Sequence, residues 1–397
     1  MYSDITEKFY EKDNLDVRKE KGIYITPYSI IEKCFESEKI DELDILEPSF
    51  GSGQFIDIGI KLLGKKKSAN IVGVELFKEL YDEVKKKYSS NKNVKLLNQD
   101  FLTWNTEDKF DLIVGNPPYF SKNNLSKQEK ITFKEIITGR VNIYSLFIYK
   151  CIGMLKPNGR LIFVIPTSLL SSKYFEKLRY YIHKTCDIEG IDILGSKDFK
   201  DALQSTMIFK IKKLDEKTKP TTNYVIEFSN TIVFTPKYKA INKLIKDKKY
   251  ISDYSCVVKT GNIVWNQHKD KLEDKKKNKD YIPLIYPRNL VNGTIEYNNG
   301  GAKKQYINID KEPMRGPFIV INRIIGIRDI SLKPVLIENS TDQYFFENHI
   351  NVITGKLENL KIIYNSLIKP ETADFIKNII GNTQLSKNEL MYMVPIF

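Results

Sequence analysis

The sequence predicts an α/β protein: a doubly wound, mixed but mostly parallel sheet in residues 1–248, followed by a smaller β-rich domain in residues 249–397. Three observations predict it. From about residue 28 to 210, short apolar runs alternate with helical stretches, the pattern of βαβ units. Each early run ends in residues of chemical interest: Gly51-Ser52-Gly53, then Glu75, then Asp100-Phe101, then Asn116-Pro117-Pro118-Tyr119. Beyond the charged stretch 246–250 (KDKKY) the texture changes to short runs separated by turn signals such as Asn292-Gly293 and Gly316-Pro317.

The elements follow in order. Residues 29–37 read as a short helix and 44–47 (DILE) as the first strand, which enters a glycine turn and a helix over 54–63. Residues 71–75 (IVGVE) form a second strand, with a helix around 78–87. Residues 94–98 (VKLLN) form a third strand and 110–114 a fourth. The apolar helix 144–155 is stopped by Lys156-Pro157-Asn158-Gly159. Strand 160–165 (RLIFVI), helix 176–183 and strands 188–193 and 205–211 complete the alternation. The polar stretch 213–223 (KLDEKTKPTTN) is a loop inside the domain, because 224–234 returns to strand pattern. Residues 269–279 (KDKLEDKKKNK) form an exposed charged segment, suited to solvation or to phosphate contact.

A chain of 397 residues is long enough for two domains, and 41% hydrophobic with 28% charged residues is ordinary globular composition. A formal charge of +13 suits a polyanionic partner such as nucleic acid, although Lys, Asn and Ile are abundant throughout and weaken that inference. Cys34, Cys151, Cys186 and Cys256 are widely spaced without C-x-x-C, as expected of reduced, buried thiols in a cytoplasmic protein. His183, His268 and His349 have no metal spacing, so no metal is expected. The charged opening MYSDITEKFYEKD is unlike a signal peptide, and no apolar run approaches a membrane span.

The fourth strand ends in the most specific string. Two prolines stiffen the loop Asn116-Pro117-Pro118-Tyr119 and donate no N–H, leaving carbonyls without ladder partners. The Asn116 side-chain oxygen and the Pro117 carbonyl can accept both hydrogens of an exocyclic NH₂ group, and Tyr119 offers a ring on which a base can stack. A stiff strand-closing turn would use the same string, so the rest of the series decides. Gly51 and Gly53 allow a tight turn and close approach of a ligand at a helix N-terminus, although Ile56 stands where the third glycine of a dinucleotide fingerprint would be. Glu75 lies where a carboxylate accepts from ribose hydroxyls. Asp100 can accept from an amino group beside Phe101, a ring able to cover adenine. Together the strand ends describe an adenosine-containing cofactor with an amine acceptor at its reactive end.

In their order these motifs resemble the S-adenosylmethionine-dependent N6-adenine DNA methyltransferases, most of all the gamma class, the TaqI-type enzymes. No recognition domain separates Asp100 from Asn116, as one would in the alpha class. The resemblance covers roughly residues 20–250 well and the remainder loosely. It implies a Rossmann-like methyltransferase domain and a C-terminal target-recognition domain. It implies that Tyr24, Thr26 and Pro27 belong to the opening cofactor motif, with Thr26 near the methionine part. Glu47, Pro48, Ser49, Gly51 and Gly53 would surround the methionine moiety; Glu75 and Leu76 would hold the ribose and cover adenine. Asp100, Phe101 and Phe147 would bind the adenine, and Asn116 and Pro118 would also face the cofactor. Asn116, Pro117, Pro118 and Tyr119 would form the catalytic loop, with Phe199 against the edge of a flipped-out base.

The basic segment 121–140, with Lys122, Lys127 and Arg140, would close over DNA and be mobile without it. Val258-Lys259-Thr260-Gly261, Tyr286-Pro287-Arg288-Asn289-Leu290 and Gln384-Leu385-Ser386 resemble strand and turn elements of recognition domains, implying DNA contacts at Lys259, Arg288 and Asn289. The partners implied are S-adenosyl-L-methionine, released as S-adenosyl-L-homocysteine, and double-stranded DNA. The resemblance also implies action as a monomer, origin in a restriction-modification system and, as a partner, a cognate restriction endonuclease. A methyltransferase acting on RNA or on a protein glutamine is the alternative.

Overall fold

The computed structural model describes residues 3–7, 25–36, 38, 43–63, 70–122, 124–139, 141–195, 205–297, 304–326, 330–339, 341–379 and 384–397. The chain divides into two compact units: residues 1–226 with 232–238, and residues 227–231 with 239–397.

In the first unit the elements are α1 (Tyr28–Phe35), β1 (Asp44–Glu47), α2 (Gln54–Leu63), β2 (Asn70–Glu75), α3 (Lys78–Tyr88), β3 (Val94–Asn98) and β4 (Phe110–Gly115). A short excursion follows, formed by β5 (Ser121–Lys122), α4 (Lys127–Thr132) and β6 (Val141–Asn142). Then come α5 (Ile143–Met154), β7 (Leu155–Pro166), α6 (Glu176–Thr185), β8 (Cys186–Ile193) and β9 (Thr206–Lys213). Among the described residues, seven strands form one sheet in the order β3-β2-β1-β4-β7-β9-β8. β3, β2, β1, β4 and β7 pair in parallel; β9 runs antiparallel between β7 and β8. The chain leaves β1 toward β2 and β3 on one side and returns to place β4 on the other. β1 and β4 therefore flank the point where strand order reverses, the position at which open α/β sheets leave a crevice at their carboxyl ends.

The strands carry apolar residues on both faces, as the near-continuous runs require. Leu46, Ile113, Leu161 and Phe163 point to one side, where Leu146, Ile148 and Ile152 of α5 and Leu178 and Ile182 of α6 cover them. Their neighbours Ile45, Leu112, Val114 and Ile162 point to the other, under Ile31 and Cys34 of α1, Ile56 of α2 and Val84 of α3. The stop after α5 is met by Asn158 in the left-handed region, φ 65°. All four cysteines are free and buried. Among the described residues no helix is long and apolar enough to cross a membrane.

After the paired strands β10 (Val225–Phe228) and β11 (Thr231–Phe234), the second unit contains β12 (Val257–Thr260), β13 (Leu272–Glu273), β14 (Ile282–Ile285), β15 (Leu290–Val291), β16 (Thr294–Ile295) and β17 (Tyr306–Ile307). β18 (Met314–Arg315), β19 (Phe318–Asn322), β20 (Val335–Ile337), β21 (Gln343–Phe346) and β22 (Ile350–Thr354) follow. They pair as β12-β22-β19-β20, as β13-β17-β14-β21-β18 and as the hairpin β15-β16. Gly261, at the end of β12, lies so close to the next segment that a Cβ would stand 2.2 Å from the Glu347 carbonyl oxygen. The unit ends in helices Leu357–Leu367, Pro370–Ile379 and Lys387–Tyr392, which the strand-and-turn reading of this region did not anticipate. Ser386, read there as part of a turn, caps the last of them through a capping box with Glu389.

Candidate active site

A cavity of about 310 Å³ opens at the carboxyl ends of β1, β2, β3 and β4. Its size falls within the range of small-molecule sites. It is lined by Thr26, Glu47, Pro48, Ser49, Gly51, Glu75, Leu76, Asp100, Phe101, Asn116, Pro118 and Phe147, twelve residues that the sequence placed at a cofactor. Pro27 and Gly53 are not on its wall. Gly53 serves packing instead: at φ 79° a Cβ would press on Val84 of α3 at 3.0 Å.

The turn after β1 is shaped by Gly51 at φ 52°, which few side chains tolerate. The Gly51 N–H donates to Oε2 of Glu75 at 2.8 Å, and the Phe77 N–H donates to Oε1 at 2.8 Å. Burial raises the Glu75 carboxyl above its ordinary value, while these backbone donors and that of Leu76 oppose the shift. Glu47 is more strained: it is 2% exposed and its Oε2 has no hydrogen-bond partner. Burial pushes its carboxyl well above the usual range, reinforced by the charges of Glu75 and Asp57 and opposed by the Ile56 N–H. An unsatisfied buried acid on a cavity wall calls for a ligand that brings a cation or a donor.

At the end of β3, Oδ1 of Asp100 accepts from the Leu102 N–H at 2.9 Å. Phe101 and Phe147, from the following turn and from α5, lie with ring centroids 4.8 Å apart. Leu76, 58% exposed, stands at the rim. One cavity wall thus carries acids able to take an ammonium or a diol, a carboxylate able to take an aromatic amine, and rings able to cover a base.

At β4, Nδ2 of Asn116 donates to Oγ1 of Thr26 at 2.9 Å, which turns Oδ1 the other way. The Tyr119 hydroxyl donates to that Oδ1 and lies 2.7 Å from the Val164 carbonyl. Here the structure corrects an expectation. Tyr119 is only 7% exposed, packs edge-on to Tyr144 and does not line the cavity, because its hydroxyl finds acceptors inside. Stacking on a base would require the ring to leave this packing. Phe120 lines the cavity instead and was not foreseen. Pro117 is buried and is not on the cavity wall.

The segment expected as a mobile cover is a folded excursion in its described residues. β5 pairs with β6, a capping box between Ser126 and Glu129 starts α4, and Phe133 and Ile136 enter the core. Lys122 pairs with Glu129 and lines the cavity, so it is no exposed phosphate ligand. Burial would raise the Glu129 carboxyl, but hydrogen bonds from Lys122 and Ser126 outweigh it and hold it low. Lys127, at the start of α4, is exposed. In the second unit Lys259 is exposed on β12, and the Arg288 guanidinium lies 5.0 Å from the Tyr286 ring centroid. Asn289 is a second correction. It is fully buried, accepts from the Tyr286 N–H and donates to the Glu296 carbonyl, so it shapes its turn and cannot reach DNA. Tyr24, Phe199 and Arg140 lie outside the described residues.

Gln54 was missed by sequence reasoning. Its Nε2 donates to the Thr26 carbonyl at 2.6 Å and its Oε1 accepts from Thr6 at 2.6 Å. Its one signal is position, first in the helix after the glycine turn.

Residues 55–199 match the family described as Eco57I restriction-modification methylase. Over 100% of its length the chain is 27% identical to the type II methyltransferase M.CvrRI of Paramecium bursaria Chlorella virus XZ-6E, covering 99% of that protein. It is 29% identical to modification methylase CviBIII of Paramecium bursaria Chlorella virus NC1A, over 100% of this chain and 99% of that one. Among solved structures, the type IIG restriction endonuclease BpuSI superposes with a TM-score of 0.46 at 12% identity, over 96% of this chain and 58% of that one.

Proposed function

We propose that this methyltransferase of the type II restriction-modification family transfers a methyl group from S-adenosyl-L-methionine to N6 of an adenine flipped out of double-stranded DNA. The observation that carries the reading is that Asn116, an amine acceptor, stands on the same cavity wall as Glu47, Glu75 and Asp100. When bound, S-adenosylmethionine supplies an electrophilic methyl group. Glu47 would take its ammonium, Glu75 its ribose hydroxyls, and Asp100 with Phe101 and Phe147 its adenine.

The chain's own residues must make the target amine nucleophilic. The lone pair of N6 is delocalised into the ring. Asn116 Oδ1 and the Pro117 carbonyl, each accepting one N–H, favour the pyramidal amine in which the lone pair is localised. Thr26 fixes the Asn116 amide through Nδ2, while Oδ1 accepts from the buried Tyr119 hydroxyl, so a target amine would have to replace that hydroxyl at Oδ1. Extrusion of the base costs a few kcal/mol, which stacking on Phe199 would offset by about 1–3 kcal/mol. The second unit is assigned target recognition, with Lys259 and Arg288 toward DNA.

The test is transfer of labelled methyl to unmethylated genomic DNA by the wild type and by Asn116→Ala, followed by nucleoside analysis. N6-methyladenine from the wild type alone supports the reading. No label in DNA despite cofactor binding overturns it and directs the search to RNA and protein glutamine.

A further inference from the structure

Lys150 lies on α5, three residues after Phe147 and on the same face. Its ammonium donates to the carbonyl oxygens of Phe101 at 2.7 Å and Leu102 at 3.0 Å, and also to that of Trp104. Three ammonium hydrogens thus meet three carbonyls of one turn. The same nitrogen lies 5.1 Å from the Phe101 ring centroid, while Phe147 packs on that ring. Within the turn the N–H groups of Leu102, Thr103 and Trp104 all return to Asp100. Its amides are therefore satisfied locally, and its carbonyls depend on Lys150.

Phe101 and Leu102 of this turn are buried in the core with Trp104 packed against it, and a hollow borders the turn at Leu102 and Thr103. That hollow, a second cavity of about 340 Å³, is bounded by Leu102, Thr103, Asn105, Tyr149, Lys150 and Gly153. Packing anchors the side chains of the turn, while the three carbonyls that face the helix are held by the Lys150 ammonium. Burial lowers the Lys150 ammonium below its ordinary value, against the pull of Cys151 and Asp100, as expected of a lysine held for geometry.

We propose that Lys150 is a positioning residue for the adenine of the cofactor. It closes the turn 100–104 and so sets where the Asp100 carboxylate and the Phe101 ring stand. The assignment rests on the cofactor reading above. It predicts a defect confined to the adenine end, because Glu47, Gly51 and Glu75 belong to other strand ends.

The test uses calorimetric binding of S-adenosylhomocysteine and of S-inosylhomocysteine, whose 6-oxo group offers Asp100 no amine, to the full chain. The wild type is expected to prefer the adenosyl compound. Lys150→Met should weaken adenosyl binding by roughly ten-fold or more and inosyl binding by less, since the inosyl base loses only the Phe101 contact, so that the preference falls. Lys150→Arg, which retains several donors, should restore part of it. A purely structural role would weaken both compounds equally, and that result overturns the proposal, as does an unchanged preference in Lys150→Met. Should Lys150→Met not fold, Lys150→Gln, with two amide hydrogens, must show an intermediate preference or the proposal fails. A wild type that binds neither compound overturns the cofactor reading itself, a different outcome from binding without discrimination by Lys150.

Discussion

The two carboxylate oxygens of Glu75 accept separately from the N–H of Gly51 and the N–H of Phe77, each at 2.8 Å. One side chain at the end of β2 therefore holds both the turn after β1 and the entry to α3. Glu75→Ala is expected to weaken S-adenosylhomocysteine binding by roughly 10- to 100-fold, through loss of the diol acceptor and release of the Gly51 turn. Calorimetry would check this.

Glu47 gives a prediction with a pH signature. Its folded-state carboxyl is raised well above 4.5 by burial and by Glu75 and Asp57. At more acid pH the group is protonated in both folded and unfolded chains and contributes nothing. As pH rises, the unfolded chain ionises while the folded one resists, so the side chain destabilises up to its folded pKa. Glu47→Gln should therefore raise Tm by about 2–4 °C near neutral pH, with the gain vanishing at about pH 4, while cofactor binding weakens. Thermal melts at the two pH values decide it; a Tm that falls at neutral pH would sink the idea.

Asn116→Ala should reduce methyl transfer by about 100-fold or more while S-adenosylhomocysteine binding stays within a few-fold. Equal losses in both measurements would make Asn116 a cofactor ligand alone.

Lys127 and Lys259 are exposed where DNA contact is assigned. Each mutation to Ala should weaken duplex binding uniformly across sequences and lower the slope of log K against log salt by about 1. Lys122→Ala, whose ammonium is turned inward to Glu129, should leave that slope unchanged.

Asn289→Ala should leave the salt slope untouched and cost about 1–3 kcal/mol of stability. It removes the side-chain acceptor of the buried Tyr286 N–H, and denaturant unfolding measures the loss.

The division between what was legible and what was not has a physical pattern. Glycines, acids and the Asn-Pro-Pro string at strand ends were readable because alternation fixes where strands end, and chemistry at those ends is local in sequence. Tyr119 was misjudged because its fate depends on the Val164 carbonyl, which a neighbouring strand supplies. Asn289 was misjudged for the same reason: its partner Gln305 arrives from a distant segment. The C-terminal helices were hidden because attention to turns missed an apolar stripe, Leu360, Ile363 and Leu367, at helical spacing. Lys150 carried no sequence signal, since one lysine on an apolar helix says nothing about carbonyls elsewhere.

The four buried thiols make the folded chain its own unfolding clock. Burial pushes Cys34 and Cys186 up to about 12 and raises Cys151 and Cys256 as well, so none is an alkylation target until its surroundings open. Cys34, Cys151 and Cys186 report on the first compact unit and Cys256 on the second. Pulsed alkylation read out peptide by peptide would thus time the opening of each unit in one unlabelled sample.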